Sequence, residues 1–162
     1  MTFVRMLIDT RIGIVLSALI LSLGIAGGAP QVQAGESAAP LPNNIRIIPP
    51  DSSLKSELSA FSGKWRGDIH YYGRIGTSID RDIILVVERV DMNGADIIHS
   101  FGPTRLDKAG YARYKATFSE NTLSFSAPAE YRYVLKDQDT IEVTRIPTDA
   151  HYKVGHGILK RY

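Results

Sequence analysis

Phe61-Ser62-Gly63-Lys64-Trp65-Arg66-Gly67 holds the only tryptophan of the chain and marks the point where its periodicity changes. Ahead of it, Leu54, Leu58 and Phe61 recur at i, i+4 and i+7, one face of a short helix that Asp51 or Ser52 can cap. From Lys64 the period is two. Trp65, Gly67, Ile69 and Tyr71 fall on one side, and Lys64, Arg66, Asp68 and His70 on the other. That alternation predicts a strand, Lys64 to Tyr72, with one buried face.

The same period continues to the end of the chain, cut by turn residues. Strands are predicted at Asp82 to Val90, Ala95 to Phe101, Tyr111 to Phe118, Thr122 to Ala127, Glu130 to Lys136, Thr140 to Arg145 and about His151 to Arg161. Asn93-Gly94 is the strongest hairpin signal. The longest loop is Gly102 to Gly110. The second strand departs from the rule, because Ile83 to Val87 is apolar on both faces. Its run ends in Glu88-Arg89, which would turn one charge inward in either register. Neighbours joined by short turns are antiparallel. Eight of them, all-β and up-and-down, close into a barrel that leaves no edge exposed. A flat sandwich is the alternative.

Composition narrows the classes of function. The net charge of +2 comes from interspersed signs rather than a basic patch, which speaks against a nucleic-acid partner. With no cysteine there is no disulfide framework, thiol nucleophile or thiolate metal site. Residues 1–34 read as a signal peptide: Arg5 and Arg11, an apolar run from Ile12 to Ile25, a break at Gly24, Gly27, Gly28 and Pro30, then Val32-Gln33-Ala34 as the cleavage site. The apolar core is shorter than the ~20 residues of a spanning helix. The expectation is a bacterial protein, periplasmic or secreted, cleaved after Ala34 and then free of any membrane span; an uncleaved anchor is the other reading. Residues 35–50, with Pro40, Pro42, Pro49 and Pro50, read as a flexible tether ahead of a barrel domain over 51–162.

Gly63-Lys64-Trp65 at the start of the first strand resembles the opening motif of the lipocalins and their calycin relatives. Leu85-Val86-Val87-Glu88-Arg89-Val90, with Gly94-Ala95 and Ser100-Phe101-Gly102, looks like the lipocalin-like domain of exported bacterial proteins. The resemblance implies an eight-stranded barrel whose closed end is plugged by the short N-terminal helix. It also implies that a basic side chain from the last strand, Arg161 or Lys160, lies across Trp65. The chain lacks the later lipocalin motifs and the disulfides.

No motif of hydrolase, phosphate-binding or metalloprotease type is present, and no metal-ligand spacing, so no cofactor and no metal is expected. Tyr71, Tyr114, Tyr131 and Tyr133 sit on the apolar phase of their strands with Phe118, Leu123 and Phe125; aromatic walls with a few hydroxyls line small-molecule cavities. His99 and His156 share phases with apolar neighbours and are expected inward, His70 outward. Lys64, Arg66, Arg74, Arg81 and Arg105 lie among acids and read as solvated surface. Three functions follow. The first is a module holding a small apolar or amphipathic ligand between Tyr71, His99, Tyr114, Phe125, Tyr131 and Tyr133, with Trp65 and Arg161 closing one end. The second is a filled barrel that binds a protein partner through its rim or the Gly102–Gly110 loop. The third is a small hydrolase or isomerase using His99 or His156 with a carboxylate.

Overall fold

The computed structural model describes residues 38–162. Eight strands follow one another: β1 (Gly63–Tyr72), β2 (Ser78–Val90), β3 (Gly94–Phe101), β4 (Gly110–Ser119), β5 (Thr122–Ala127), β6 (Ala129–Asp137), β7 (Thr140–Pro147) and β8 (Gly155–Arg161). Each is antiparallel to its neighbours in sequence, and β8 returns to pair with β1, so the sheet is a closed barrel in the order β1 to β8.

Closure brings β1 and β8 very close. A Cβ placed on Gly67 would lie 1.9 Å from the Ile158 carbonyl oxygen, and one on Gly157 would lie 2.0 Å from that of Asp68. Only glycine fits at these two positions of the seam. Alternation sets the interior: Trp65, Ile69 and Tyr71 from β1, Leu123 and Phe125 from β5, Tyr131 and Tyr133 from β6, and Ile141 and Val143 from β7 form one buried core.

The last strand starts later than its pattern suggests, at Gly155 rather than His151. Its phase is also opposite to the expected one. Gly155, Gly157 and Leu159 face inward, while Val154, His156 and Ile158 are exposed. Side chains at the inward glycines would strike β1, so the apolar alternate of β8 is left outside. His156 is therefore a surface residue.

β2 is apolar on both faces because both faces are covered. Ile83, Leu85 and Val87 enter the barrel core. Ile84 and Val86, with Ile98 of β3, lie outside and pack under Ala39, Leu41 and Ile45. From Ala38 on, the proline-rich stretch is not a free tether but a strap on the outer face of the sheet. The Ala38 amide donates to Asp82 Oδ2 (2.7 Å), Ser100 Oγ donates to the Pro40 carbonyl, and Arg113 Nη2 donates to Asn44 Oδ1 (2.9 Å). The Arg46 amide donates to Glu88 Oε1 (2.9 Å), and the Ile48 amide to the Glu88 carbonyl (2.7 Å). Prolines suit such a strap, since it offers few amides to a ladder. The preceding part of the predicted tether, and the predicted signal segment, lie outside the described residues.

A β-bulge between Val87 and Arg89 removes the inward charge expected at the end of β2. The extra residue restores phase so that Val90 re-enters the core, and both charges stay outside. Glu88 meets Arg113 (3.3 Å), and Arg89 meets Asp96 (2.9 Å).

The predicted N-terminal helix is a single turn, α1 (Ser56–Ser59), with no buried residue of its own. Leu54 and Leu58 pack only partly against the core, and Phe61, just beyond the turn, is fully buried. A four-residue turn is too short to present the i, i+4, i+7 face of a plug.

Candidate functional site

The two ends of the barrel differ. At the end where β1 begins, the interior is solid. Phe61 packs on Phe118 with ring centroids 5.4 Å apart, and Trp65, Leu123, Tyr133, Ile141 and Leu159 are fully buried. Trp65 Nε1 donates to the Phe61 carbonyl (2.8 Å). Arg161, opposite Trp65 in the β1–β8 ladder, holds its guanidinium carbon 4.0 Å from the indole centroid. Gly63, at φ +122°, leaves room for that guanidinium, since a Cβ there would lie 2.8 Å from Arg161 Nη1. Lys160 points elsewhere, donating to Thr140 Oγ1 (2.6 Å).

The other end is open. A cavity of about 460 Å³ enters the barrel there, walled by Tyr71, Ile79, Phe101, Tyr114, Tyr131 and Tyr152, with His99, Arg81 and Arg145 among its polar groups. It shares Ile79, Thr104, Leu106 and Tyr152 with a neighbouring hollow of about 540 Å³ under the β1–β2 and β3–β4 loops. Of the residues expected to line a ligand site, Tyr71, His99, Tyr114 and Tyr131 border the cavity. Phe125 and Tyr133 do not; they belong to the packed layer beneath. Rings run through this layer nearly parallel, Tyr114 to Phe125 at 4.8 Å and Phe125 to Tyr131 at 5.2 Å, with Tyr133 at 6.1 Å from Phe125.

His99 stands at the base of the opening, 2% exposed. Its ring lies 4.5 Å from that of Tyr131 and 5.2 Å from that of Phe125. Burial, helped by the charge of Arg81, pushes its pKa down to about 3, so the imidazole is neutral at pH 7. Its Nε2 is buried with no hydrogen-bond partner. The Tyr131 hydroxyl is held above the usual tyrosine range by burial, with the positive charge of Arg145 and Arg81 pulling the other way. Burial pushes Tyr133 well above that range, and its hydroxyl too is without a partner.

Two arginines complete the site, and the sequence pattern assigns neither to it. Arg81 reads as solvated surface from its charge, yet it shares its phase with Ile83, Leu85 and Val87 and points inward. Its guanidinium carbon lies 4.4 Å from the Phe101 centroid. Its Nε donates to the Gly102 carbonyl (3.0 Å), and its Nη1 lies 3.3 Å from Asp107 Oδ2. Arg145 follows Ile141 and Val143 on the inward phase of β7, opposite Tyr131 on β6. It stacks over Tyr71 at 4.5 Å. Among the described residues it has no carboxylate partner. Arg81 Nη2 and Arg145 Nη1 are buried N–H groups with nothing to donate to.

Among the described residues no His–carboxylate contact lies in the cavity. The His–carboxylate contacts of the described residues, His70 with Asp80 (2.7 Å) and His151 with Asp149 (2.6 Å), lie on the outside. No group of three metal-ligating side chains converges among the described residues, and no helix there is long and apolar enough to cross a membrane. In a groove of about 450 Å³ on the outer surface, bordered by Arg46, Glu88, Arg89, Asp96 and Arg113, Glu88 pairs with Arg113 and Asp96 with Arg89.

No known family description and no curated protein matches the chain. Among solved structures it is similar to a redesigned β-barrel, at 13% identity and a TM-score of 0.53, over 68% of this chain and 99% of that one. At that identity the likeness speaks for the fold alone: an all-β, eight-stranded antiparallel barrel.

Proposed function

We propose that the protein is an exported, lipocalin-like barrel that holds a small, partly apolar molecule in its open half. The observation that carries this reading is the asymmetry of the interior. One end is packed solid around Trp65, and the other keeps a hollow of ligand size whose aromatic wall ends in unsatisfied polar groups. Eight-stranded barrels sit at the size where such a hollow can hold one small ligand. Buried polar atoms without partners are uncommon in finished cores and are what a ligand satisfies. The lipocalin likeness rests on Gly63-Lys64-Trp65 with Arg161 across the indole, and export on the signal-like residues 1–34.

The test is native mass spectrometry of protein purified from the cells that make it, alongside titration with the neutral dye Nile red. A small-molecule adduct and saturable dye fluorescence are expected. Protein that carries no adduct and leaves the dye unchanged overturns the reading. In that case the rim takes over as a protein-binding surface, a second reading favoured by Ile75 and Leu106, which stand 89% and 71% exposed on neighbouring loops.

A further inference from the structure

The charge in the cavity selects among ligands, given the binding reading above. Arg81 and Arg145 both reach into the opening, and the positive charge of both acts on Tyr131, whose hydroxyl Arg145 also hydrogen-bonds. Arg81 is already matched: Asp107 from the β3–β4 loop sits 3.3 Å from its Nη1. Arg145 is not. Its side chain is held between the Tyr71 and Tyr152 rings, at 4.5 and 5.8 Å, and faces no carboxylate among the described residues. Arg145 therefore remains an uncompensated positive charge inside the hollow, and the exposed Lys108 adds a second positive charge only at its rim. A cation withdrawn from water must be paired or wetted. Guanidinium is the cation best suited to a partly buried pair, because its planar fork fits two oxygens of one acid.

We propose that the ligand is a monoanion, a carboxylate on an apolar body, whose acid group is received by Arg145 and the free N–H of Arg81. The two orphaned donors, Arg145 Nη1 and Arg81 Nη2, supply one hydrogen bond each to the carboxylate. The apolar body lies against Tyr71, Phe101 and Tyr114. Charge counting chooses the monoanion. Arg145, the inner guanidinium without a carboxylate, is neutralised by one negative charge, whereas the second charge of a phosphate dianion would have to draw in Lys108 from the solvated rim or displace Asp107 from Arg81.

The experiment compares three probes that share one ring system: naphthalene-2-carboxylate, 2-naphthylmethanol and 2-naphthyl phosphate. Each is titrated calorimetrically into the full chain and into Arg145→Met, with Nile red as a charge-free reporter of the hollow. The carboxylate is expected to bind at least tenfold more tightly than the alcohol. Arg145→Met is expected to abolish that preference while leaving Nile red binding within twofold. Arg145→Lys keeps the charge without the fork and is expected to retain part of the preference; it serves if the methionine variant does not fold. Arg132→Met, on the outer face of β6, is expected to change nothing. Equal affinities for carboxylate and alcohol, with Nile red still bound, overturn the anion assignment and leave the cavity reading standing. Tighter binding of the phosphate overturns the monoanion. No binding of any probe, Nile red included, removes both.

Discussion

Arg161 lies over Trp65, guanidinium carbon to ring centroid 4.0 Å, and the same guanidinium donates to the Ser62 and Ala60 carbonyls at 2.7 Å each. One side chain thus covers the indole and ties the chain entering β1 to the strand that ends the barrel. A desolvated cation over tryptophan contributes roughly 2 kcal/mol, and hydrogen bonds from a charged donor about 1.5–3 kcal/mol each when counted singly. Arg161→Met is expected to cost about 2–4 kcal/mol, and Trp65→Ala about 3–5 kcal/mol as a large core truncation. Urea denaturation checks both. A loss under 1 kcal/mol for Trp65→Ala would mean that the packed end does not hold the barrel.

His99 makes stability depend on pH in a definite direction. Its folded pKa of about 3 lies below the unfolded value of 6.5, so the unfolded chain binds the proton first. The stabilising effect of the buried neutral ring is fully present above pH 6.5 and falls away towards pH 3, by about 1.4 kcal/mol per pH unit. Asp96, whose carboxyl Lys115 holds below the usual range, acts in the same direction only at lower pH, near and below 3.8. His99→Phe is expected to flatten the slope of unfolding free energy between pH 6.5 and 4. An unchanged slope in that variant would show that the imidazole is not buried neutral.

Tyrosines of the two layers separate stability from binding. Tyr133 is fully buried in the packed layer, so Tyr133→Ala is expected to lower stability by about 3–5 kcal/mol. Tyr131 borders the hollow, so Tyr131→Ala is expected to weaken Nile red binding at least fivefold at a smaller cost to folding. Dissociation constants measured beside melting curves give the comparison. The reverse ranking would move the binding site into the lower half.

The β1–β8 seam predicts a steep response to a single methyl group. Gly157→Ala forces a Cβ onto the Asp68 carbonyl and is expected to cost about 3 kcal/mol or more. Gly76→Ala meets no atom within 4 Å but sits at φ +73°, so strain of about 1–2 kcal/mol is expected. Melting temperatures of the two variants, measured side by side, test whether steric closure or backbone conformation dominates.

The strap yields the last prediction. Ile98 looks outward, yet is fully buried against Ala39, Leu41 and Ile45. Ile98→Ala is expected to cost about 2–4 kcal/mol, as for a core position, and a chain starting at Asp51 is expected to expose Ile84, Val86 and Ile98 and to self-associate. Size-exclusion chromatography with light scattering would reveal a monomer if the strap is dispensable.

Period-two alternation and turn residues carried most of the architecture, because each strand has one wet face and one dry face. Alternation misleads wherever a third layer or a missing side chain breaks that logic. β2 is dry on both faces because of a strap that proline content presented as a spacer. β8 carries its apolar alternate outside because glycines hold its inner phase, so His156 was turned the wrong way. Phase alone would have sent Arg81 and Arg145 inward with Ile83 and Val143. For Arg81 charge argues for solvent instead, yet the Phe101 face, the Gly102 carbonyl and Asp107 receive its guanidinium, as the Tyr71 face receives that of Arg145. The limit between packed and open layers, which divides Tyr133 from Tyr131, depends on volumes that no alternation encodes.

The path of the strap gives the barrel a polarity. Ala38 is fastened to Asp82, towards the opening, and Ile48 to Glu88, towards the opposite end. Tyr162 leaves beside Lys64, at that opposite end as well. A tag or a solid support joined through Tyr162 therefore leaves the entrance unobstructed, whereas a bulky fusion just ahead of Ala38 stands near it. The side of attachment therefore decides whether the open end of the barrel faces solvent or the support.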